Sequence, residues 1–317
     1  MDALAGLLDG PRARGAFLCR VAMDPPWAVR VQDRAPLSLV APRRGETWVV
    51  PEGGEPCRVP VGGAALMRGP APYTFADDPG TAPQVFIEPG EHCTTPQGEP
   101  LSQVLGLGVR LWGSRADAHA RLLVGTYRMG AQIGHRLLSA LPAVVVLDAG
   151  AWSAPLLGDI DAELDRDEPG QDVVLDRLLD LLVISALRSW FAEPGRAVPG
   201  WYRAQGDAVA GPALRLLHES PERPWTVAEL AAAAGVSRAT LARRFTEAVG
   251  EPPMAYLTGW RLELAAQLLR EPEATVTAVA RRVGYATPFA LSAAFKRVHG
   301  ISPAQHRGRV GAAPAGS

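Results

Sequence analysis

The arginines and lysines of the C-terminal third are the side chains with the clearest chemical potential. A guanidinium group can bridge O6 and N7 of a guanine or hold a backbone phosphate. From Ala213 to the end of the chain, 13 Arg or Lys stand against 8 Asp or Glu, whereas residues 1–200 hold 18 against 24. The net charge of −1 is therefore a cancellation. Because a basic face attracts phosphates whatever the base sequence, the asymmetry indicates a nucleic-acid partner for the C-terminal third.

Cysteines and histidines, the residues of redox and metal chemistry, are sparse. The 3 cysteines include no CxxC pair, which excludes a disulfide scaffold and a zinc finger. Cys19 and Cys93 prompt a redox hypothesis, which requires an exposed thiolate; for Cys19, in an apolar run, a buried inert thiol is the alternative. The histidines before the C-terminal third contain no H-x-H pair, so we expect no metal and no other cofactor there: His92, His119 and His135.

Length and composition indicate a folded protein of about two domains. With 317 residues, 47% of them hydrophobic and 21% charged, wholesale disorder is excluded. No apolar run approaches the roughly 20 residues that cross a bilayer. The N-terminus lacks the basic start and long apolar core of a signal peptide. We therefore expect a cytoplasmic protein without a membrane segment.

The first 130 residues show short apolar runs between Pro and Gly clusters, which favours a β-sandwich or a closed barrel. The Pro-rich stretch Met67–Thr95 is predicted to be a long loop or an irregular edge. The predicted strands are Phe17–Met23, Trp27–Val31, Leu37–Ala41, Thr47–Val50, Cys57–Val61, Leu101–Trp112 and Arg121–Arg128.

Helical periodicity begins after Ser139. A short helix is predicted at Leu156–Leu164 and a longer one at Gln171–Phe191. The apolar stripe of the longer helix is wide, so it either packs within the chain alone or also meets a helix of another subunit. Glu193–Pro212, rich in Pro, Gly and Ala, is predicted to be a linker.

The C-terminal third contains a degenerate repeat with a period of about 50 residues. The first copy is Thr226–Phe245 and the second is Thr275–Phe295. Each has a Thr N-cap, an Ala-rich helix, a turn glycine (Gly235 or Gly284) and a second helix that ends in Phe, which is the pattern of a helix-turn-helix. Ser237 is the expected N-cap of the first copy's second helix.

A single amphipathic helix, Met254–Leu269, is predicted between the two copies. Sixteen residues at about 1.5 Å each span about 24 Å. With the short turns added, the two second helices are expected about 34 Å apart, one turn of B-DNA. One chain could then reach successive major-groove segments on one face of a duplex.

Residues 213–307 resemble the AraC-type transcriptional regulators. The motifs that carry the resemblance are the connecting RLELAAQLL from Arg261, VARRVGY from Val279, and the closing FKRVHGISPAQHR from Phe295. The N-terminal part is similar to the cupin-type sensor barrel that precedes this domain in a subgroup of the family. The resemblance implies an α+β chain: a sensor and dimerisation domain at 1–192, a linker at 193–212, an all-α DNA-binding domain at 213–310 and a flexible tail at 311–317.

The resemblance also implies that the exposed face of each second helix contacts bases. In the first copy this face comprises Arg238, Ala239, Ala242 and Arg243, and Arg243 is the expected guanine reader. Arg238 either contacts a base or holds a phosphate, and Arg244 has the same alternative of a phosphate contact. For each of these arginines, a solvated surface charge is the alternative.

The corresponding face of the second copy lacks Arg, Gln and Asn. Its residues suit thymine methyl groups or the DNA backbone, so we expect the first copy to supply most sequence discrimination. Ala293 occupies the place aligned with Arg243. The face consists of Thr287, Pro288, Phe289, Ser292 and Ala293.

Four further basic residues are expected to meet the DNA backbone: Lys296, Arg297 and Arg307 after the second copy, and Arg261 on the connecting helix. For Arg261, an intramolecular ion pair with Glu263 or Glu229 is the alternative.

Three functions remain open on the sequence alone. The main reading is a sequence-specific regulator that binds double-stranded DNA, senses a small effector or redox state, and forms a homodimer through the helix at 171–191. A metal-dependent cupin enzyme with an accessory DNA-binding domain is the alternative, and the missing catalytic constellation counts against it. An architectural DNA protein is disfavoured, because backbone binders need basic surface throughout.

Overall fold

The structure, a computed structural model, describes residues 17–90, 92–101, 104–108, 110–127, 135–150, 152, 154–196, 198–271 and 273–311. Contacts group these residues into two compact units. The first unit holds residues 17–127 and 137–196, and the second holds 198–311 together with residues 135 and 136. Mixed sheets form the first and helices the second, so the predicted α+β class is confirmed.

Two sheets make up the β-structure of the first unit. One has the strand order β10-β11-β1-β12-β3-β6-β13 and the other β5-β4-β7-β2-β8-β9. Neighbouring strands are antiparallel except for β1 with β11 and β2 with β8. The strands are β1 Phe17–Met23, β2 Ala28–Val31, β3 Leu37–Arg44, β4 Thr47–Pro51, β5 Cys57–Val59, β6 Ala64–Arg68, β7 Tyr73–Ala76, β8 Val85–Glu88, β9 His92–Thr94, β10 Gly106–Gly108, β11 Leu111–Gly113, β12 Ala120–Tyr127 and β13 Val144–Leu147.

Alternation along the strands divides each sheet into two faces. On β1, Cys19 and Val21 belong to the core between the sheets, together with Trp27 and Phe75. The intervening Arg20 therefore projects to the opposite face. This cupin-like arrangement confirms the barrel or sandwich expected from the short alternating runs.

Three helices accompany the sheets: α1 His135–Ala140, α2 Ala154–Leu164 and α3 Gln171–Ala192. Helix α3 buries Leu179 and Leu182 on one side. It approaches β12 at Gly125, where a Cβ atom would lie 2.6 Å from Leu179 Cδ1. The helices predicted at 156–164 and 171–191 are thus confirmed with small changes of boundary.

Two assignments in the β-region change. The Met67–Thr95 stretch, predicted to be a long loop or an irregular edge, is not a long loop, because β7, β8 and β9 lie within it; β8 and β9 stand at one edge of the second sheet. Leu101–Trp112 is not one strand; β10 and β11 pair with each other there in antiparallel fashion. In the first case the prolines stand between the strands, where they remove no ladder hydrogen bond from a strand interior: Pro70, Pro72, Pro79, Pro83 and Pro89.

The helical unit contains a short helix pair followed by the two repeat copies. Its elements are α4 Gly200–Arg203, a 3-10 turn Ala204–Gly206, α5 Ala210–Glu219, α6 Val227–Ala233, α7 Arg238–Val249, α8 Pro253–Leu268, α9 Val276–Arg282, α10 Pro288–His299 and α11 Pro303–Gly311. Within the stretch predicted to be a linker, residues 193–212, helical turns occupy 200–206 and α5 begins at Ala210. Burial of Trp201, Ala204 and Ala210 explains why these residues order against the unit.

Candidate nucleic-acid interface

Local signals position α7, the second helix of the first copy. Gly235 has φ +67°, which allows the tight turn after α6. The Ser237 hydroxyl accepts a hydrogen bond from the Thr240 amide at 3.2 Å and caps the helix, as predicted. Leu241 and Phe245 are fully buried. Burial of this face leaves the opposite side of α7 to solvent.

The three arginines of α7 differ in their intramolecular partners. Arg238 is exposed at the first residue of the helix, and within the described part of the chain it makes no ion pair or hydrogen bond. Arg243 Nη1 lies 2.9 Å from Glu247 Oε1, an exposed i,i+4 pair. Such a pair contributes a few tenths of a kcal/mol, about 0.3–0.5, so a base or phosphate can replace it readily.

Arg244 is held more firmly than its two neighbours. Its Nη2 lies 2.8 Å from Asp207 Oδ2, which ties α7 to the start of α5. The amides of Ala210 and Val209, followed by Arg244, lower the pKa of Asp207. Arg244 therefore has a structural partner in the DNA-free protein, and its phosphate contact stays a prediction.

Helix α10, the second helix of the second copy, is capped and buried in the same way as α7. The Thr287 hydroxyl accepts from the Ala290 amide at 3.1 Å, so Thr287 is the N-cap and Pro288 the first helical residue. Leu291 and Phe295 are fully buried. The predicted contact residue Thr287 thus also has a capping role that the sequence reading did not assign.

The solvent face of α10 is apolar at its beginning and basic near its end. Phe289 is 84% exposed, which makes it the most exposed large hydrophobic side chain in the described part of the protein. Ala293 is exposed and Ser292 half-buried. Lys296 and Arg297 are exposed in the last turn. An exposed phenylalanine costs solubility unless a partner covers it, and thymine methyl groups are suitable partners in the major groove.

Arg261 on α8 forms neither of the two expected ion pairs. Its Nε donates to the Pro221 carbonyl at 2.6 Å and its Nη2 donates to the Arg223 carbonyl at 2.8 Å. Partial burial lowers the pKa of its guanidinium. The expected carboxylates are engaged elsewhere: Glu229 closes the capping box of α6, and Glu263 lies 3.2 Å from Arg136 Nε.

Arg307 likewise donates to a carbonyl, that of Ala274, at 2.9 Å. Because Arg307 and Arg261 already satisfy backbone acceptors, each holds two segments of the helical unit together. Their phosphate contacts stay predictions.

A polar cluster that the sequence reading missed lies inside the first copy's half of the unit. His218 Nε2 and Tyr256 Oη are 2.7 Å apart, and Arg136 Nη1 is 2.7 Å from Glu251 Oε1. Burial raises the pKa of Glu263 to about 7 despite the neighbouring Arg136. No sequence signal links Arg136 with α8, since more than 100 residues separate them.

The cysteines named in the redox hypothesis both lie at the core of the β-unit. Cys19 is 2% exposed, and Cys93 is half-buried against the same core. The burial of Cys19 agrees with the alternative of an inert thiol. The redox role of Cys19 and Cys93 stays a hypothesis. In the described ranges, no group of three His, Cys, Asp or Glu side chains is arranged to hold a metal ion.

Two helix-turn-helix copies joined by one helix define a double helix-turn-helix DNA-binding protein. The sequence matches the family model described as Cupin over residues 2–192 and the one described as Helix-turn-helix domain over 230–309. A protein of Streptomyces lividans described as an AraC-like transcription regulator is 34% identical over 312 residues, which cover 97% of this chain and 98% of that protein. The chain belongs to the AraC-like family of transcription regulators.

Two further matches are shorter. The regulator AlkR of Acinetobacter baylyi is 32% identical over 201 residues, or 62% of this chain and 65% of AlkR. Among solved structures, the DNA-binding domain of AdpA in complex with a target DNA is 35% identical, with a TM-score of 0.32, over 35% of this chain and all of that one. None of the helices in the described ranges combines the length and apolar run of a bilayer span.

Proposed function

We propose that this transcription regulator reads its operator mainly through α7, while α10 adds apolar contacts and contacts to the DNA backbone. The observation that carries the proposal is the contrast between two equally built helices. Helix α7 exposes Arg238 and Arg243, whereas α10 exposes Phe289 and Ala293 in the corresponding region. Guanidinium groups discriminate guanine by paired hydrogen bonds, but methyl and phenyl groups discriminate only through the thymine methyl.

The operator that follows from this proposal has two unequal parts. One part contains a guanine step read by Arg243, and the other, about 34 Å away, contains A·T pairs that face Phe289. Arg238, Arg244, Lys296 and Arg297 supply phosphate contacts around them. Such a protein acts where chromosomal DNA lies, so a cytoplasmic location is part of the proposal.

Selection of bound sequences from a randomised duplex library with the full-length protein tests this function. The expected result is a site with one strongly restricted G·C step and one weakly restricted A·T-rich step. Equal restriction of both steps, or a restricted G·C step opposite α10, would contradict the assignment. Failure to enrich any sequence would contradict sequence-specific binding.

A second part of the proposal is that α3 forms a homodimer contact. Its buried side packs on the β-unit, yet Val174 and Leu181 are 43% and 50% exposed, with half-buried Leu178 between them. These residues share one side of the helix at i, i+4 and i+7 spacing. An apolar row of this kind suits the same row of a second copy.

The dimer is tested by sedimentation velocity on the full-length protein. Leu181→Glu should shift the protein toward monomer. Val173→Glu is the matched control, because Val173 is 61% exposed but lies off the row. An unchanged sedimentation coefficient for Leu181→Glu, or an equal shift for both variants, would contradict a dimer through this row.

The β-unit is proposed to sense a small effector. Its full-length relatives are described as transcription regulators, which supports a regulatory domain over the alternative of a metal-dependent cupin enzyme. Effector binding would alter the affinity for DNA by favouring one of two conformational states.

A further inference from the structure

Three arginines gather on the outer face of the first sheet of the β-unit. Arg20 on β1 and Arg121 on β12 lie on adjacent strands, where Ala22 pairs with Arg121 and Arg20 with Leu123. Arg43 lies on β3, the next strand along. They line a cleft of about 390 Å³, called here the arginine cleft, together with Asp161 of α2 and Asp165, the residue that follows α2. This volume is within the usual range of small-molecule sites, about 300–1,000 Å³.

The charges of the arginine cleft are incompletely balanced. Arg20 Nη1 lies 2.5 Å from Asp165 Oδ1, and Arg43 Nη2 lies 3.0 Å from Asp161 Oδ2. Asp161 is shared, because its Oδ1 is also 3.4 Å from Arg20 Nε. Arg121 is exposed and makes no ion pair within the described ranges, although its charge adds to that of Arg115 in lowering the pKa of Asp117, which does not line the cleft. Three guanidinium groups thus face two carboxylates.

The guanidinium groups and the carboxylates of the cleft come from different elements. The guanidinium groups stand on three adjacent strands of one sheet, whereas one carboxylate stands on the last turns of α2 and the other on the residue after it. Asp165 is 69% exposed, so its pair with Arg20 contributes little and an incoming anion can replace it. Leu111 and the aliphatic part of β12 add apolar surface beside the charges.

We propose that the arginine cleft binds a small molecule with an oxyanion group, either a carboxylate or a phosphate, and an apolar part that contacts Leu111. The oxyanion takes the place of the Asp165 carboxylate on Arg20 and also pairs with Arg121. Guanidinium groups suit this role because they hold carboxylate and phosphate in bidentate fashion. The inference rests on the proposed effector-sensing function and gives the effector a chemical class and a site.

The same cleft is connected to the helix proposed to form the dimer. Gln171, the first residue of α3, is buried and donates from Nε2 to the Glu163 carbonyl of α2 at 2.8 Å. Release of Asp165 from Arg20 removes one of the three ion pairs that, in the described part of the chain, hold the C-terminal end of α2 to the sheet, while Asp161 stays paired with Arg20 and Arg43. Anion binding is therefore expected to change the position of α3 and, through it, the dimer.

Calorimetric titration of the full-length protein at constant ionic strength tests the site. The probes are hexanoate, inorganic phosphate and 1-hexanol, the last with the apolar body of hexanoate but no charge. Saturable binding of hexanoate is expected, with no binding of hexanol. Saturation by phosphate alone would assign the site to a phosphate group, and saturation by hexanoate alone to a carboxylate with an apolar body.

Two variants with opposite expected effects make the test specific. Arg121→Gln should weaken binding of the anion about tenfold, and Asp165→Asn should strengthen it, because it removes the competing carboxylate. Arg58→Gln, at a 64% exposed arginine outside the cleft, is the control and should change nothing. Absence of saturable binding at millimolar anion, or the same affinity in wild type, Arg121→Gln and Asp165→Asn, would overturn the proposal.

The site and the effector-sensing function can fail separately. Operator affinity without anion should be equal in wild type and Arg121→Gln, which confirms an intact DNA-binding unit. Addition of hexanoate should change the operator affinity of wild type but not of Arg121→Gln. Anion binding that leaves the operator affinity of wild type unchanged would keep the site and contradict effector sensing.

Discussion

Helices α7 and α10 are built alike, with 12 residues each, a hydroxyl N-cap and a terminal glycine of positive φ. Their cores are also alike, since Phe245 and Phe295 are both fully buried. They differ on the solvent side, where α7 carries Arg238 and Arg243 and α10 carries Phe289 in its first turn, with basic residues only in its last turn. Packing and capping hold the buried residues and the N-caps of each helix in place. Exposed residues contribute little to stability, so their side chains can differ in chemical type. The comparison shows that one motif, used twice, keeps its buried residues and caps while the chemistry of its exposed side changes.

The largest expected effect is on stability, and it tests whether the buried phenylalanines of α7 and α10 stabilise the protein equally. Phe245→Ala and Phe295→Ala should each lower the free energy of unfolding by about 3–5 kcal/mol, because each removes a fully buried ring and leaves a cavity. Urea denaturation followed by circular dichroism measures the cost. Phe289→Ala, at an exposed position, should change it by less than about 0.5 kcal/mol. A much smaller loss of unfolding free energy at one of the two buried phenylalanines would show that the two helices are not equally stabilised by packing.

The second expected effect is a pH dependence of stability, and it concerns the buried residues, which differ between the two copies. Phe295 packs among apolar residues and the rings of His299 and His306, whereas Glu263 lies buried beside Arg136, Glu251 and Tyr256. Burial raises the pKa of Glu263 from 4.5 to about 7, so the folded state holds its proton more tightly than the unfolded state. Stability should fall as pH rises from about 4.5 through about 7, by up to about 3 kcal/mol, and then level off.

Denaturation of wild type and Glu263→Gln across this pH window checks the assignment. The variant should lose this part of the pH dependence, since glutamine does not titrate. Glu271→Gln is the control, because Glu271 is half exposed in a 3.8 Å pair with Arg282. The same pH slope in wild type and Glu263→Gln would show that Glu263 is ionised throughout by Arg136.

The third effect separates the two DNA contacts. Arg243→Ala should cost about 1–3 kcal/mol of operator affinity and relax specificity at one base step. Phe289→Ala should cost less, about 1 kcal/mol, and only at sites with thymine opposite α10. Binding isotherms with operators mutated at each step distinguish the two. Uniform weakening of all sequences by Arg243→Ala would make Arg243 a phosphate contact.

The smallest effect concerns the basic end of α10. Lys296→Ala should reduce the slope of log affinity against log salt by about 1 without a change in stability, because Lys296 is exposed and makes no ion pair in the described ranges. Arg307→Ala should also lower stability, by roughly 1 kcal/mol, since it loses its hydrogen bond to the Ala274 carbonyl. A salt slope that stays the same in Lys296→Ala would exclude a phosphate contact there.

The sequence predicted the helical frame well because its signals are local. The caps at Thr226 and Ser237 act within three residues, and the turn glycines act on their own backbone. The i,i+4 pair of Arg243 with Glu247 has the same local character. The strands between 67 and 95 were missed because pairing with distant strands, and not local composition, orders them.

The sequence by itself determined the family, the repeat and the positions of the helices in each copy. Only the tertiary structure decided how individual charges are used: Arg261 on carbonyls about 40 residues away, Arg244 on Asp207, and Arg20, Arg43 and Arg121 around one cleft. The physical reason is range. Periodicity and capping are encoded within a few residues, but the partner of a long charged side chain depends on strand register and helix packing, which no spacing in the sequence specifies.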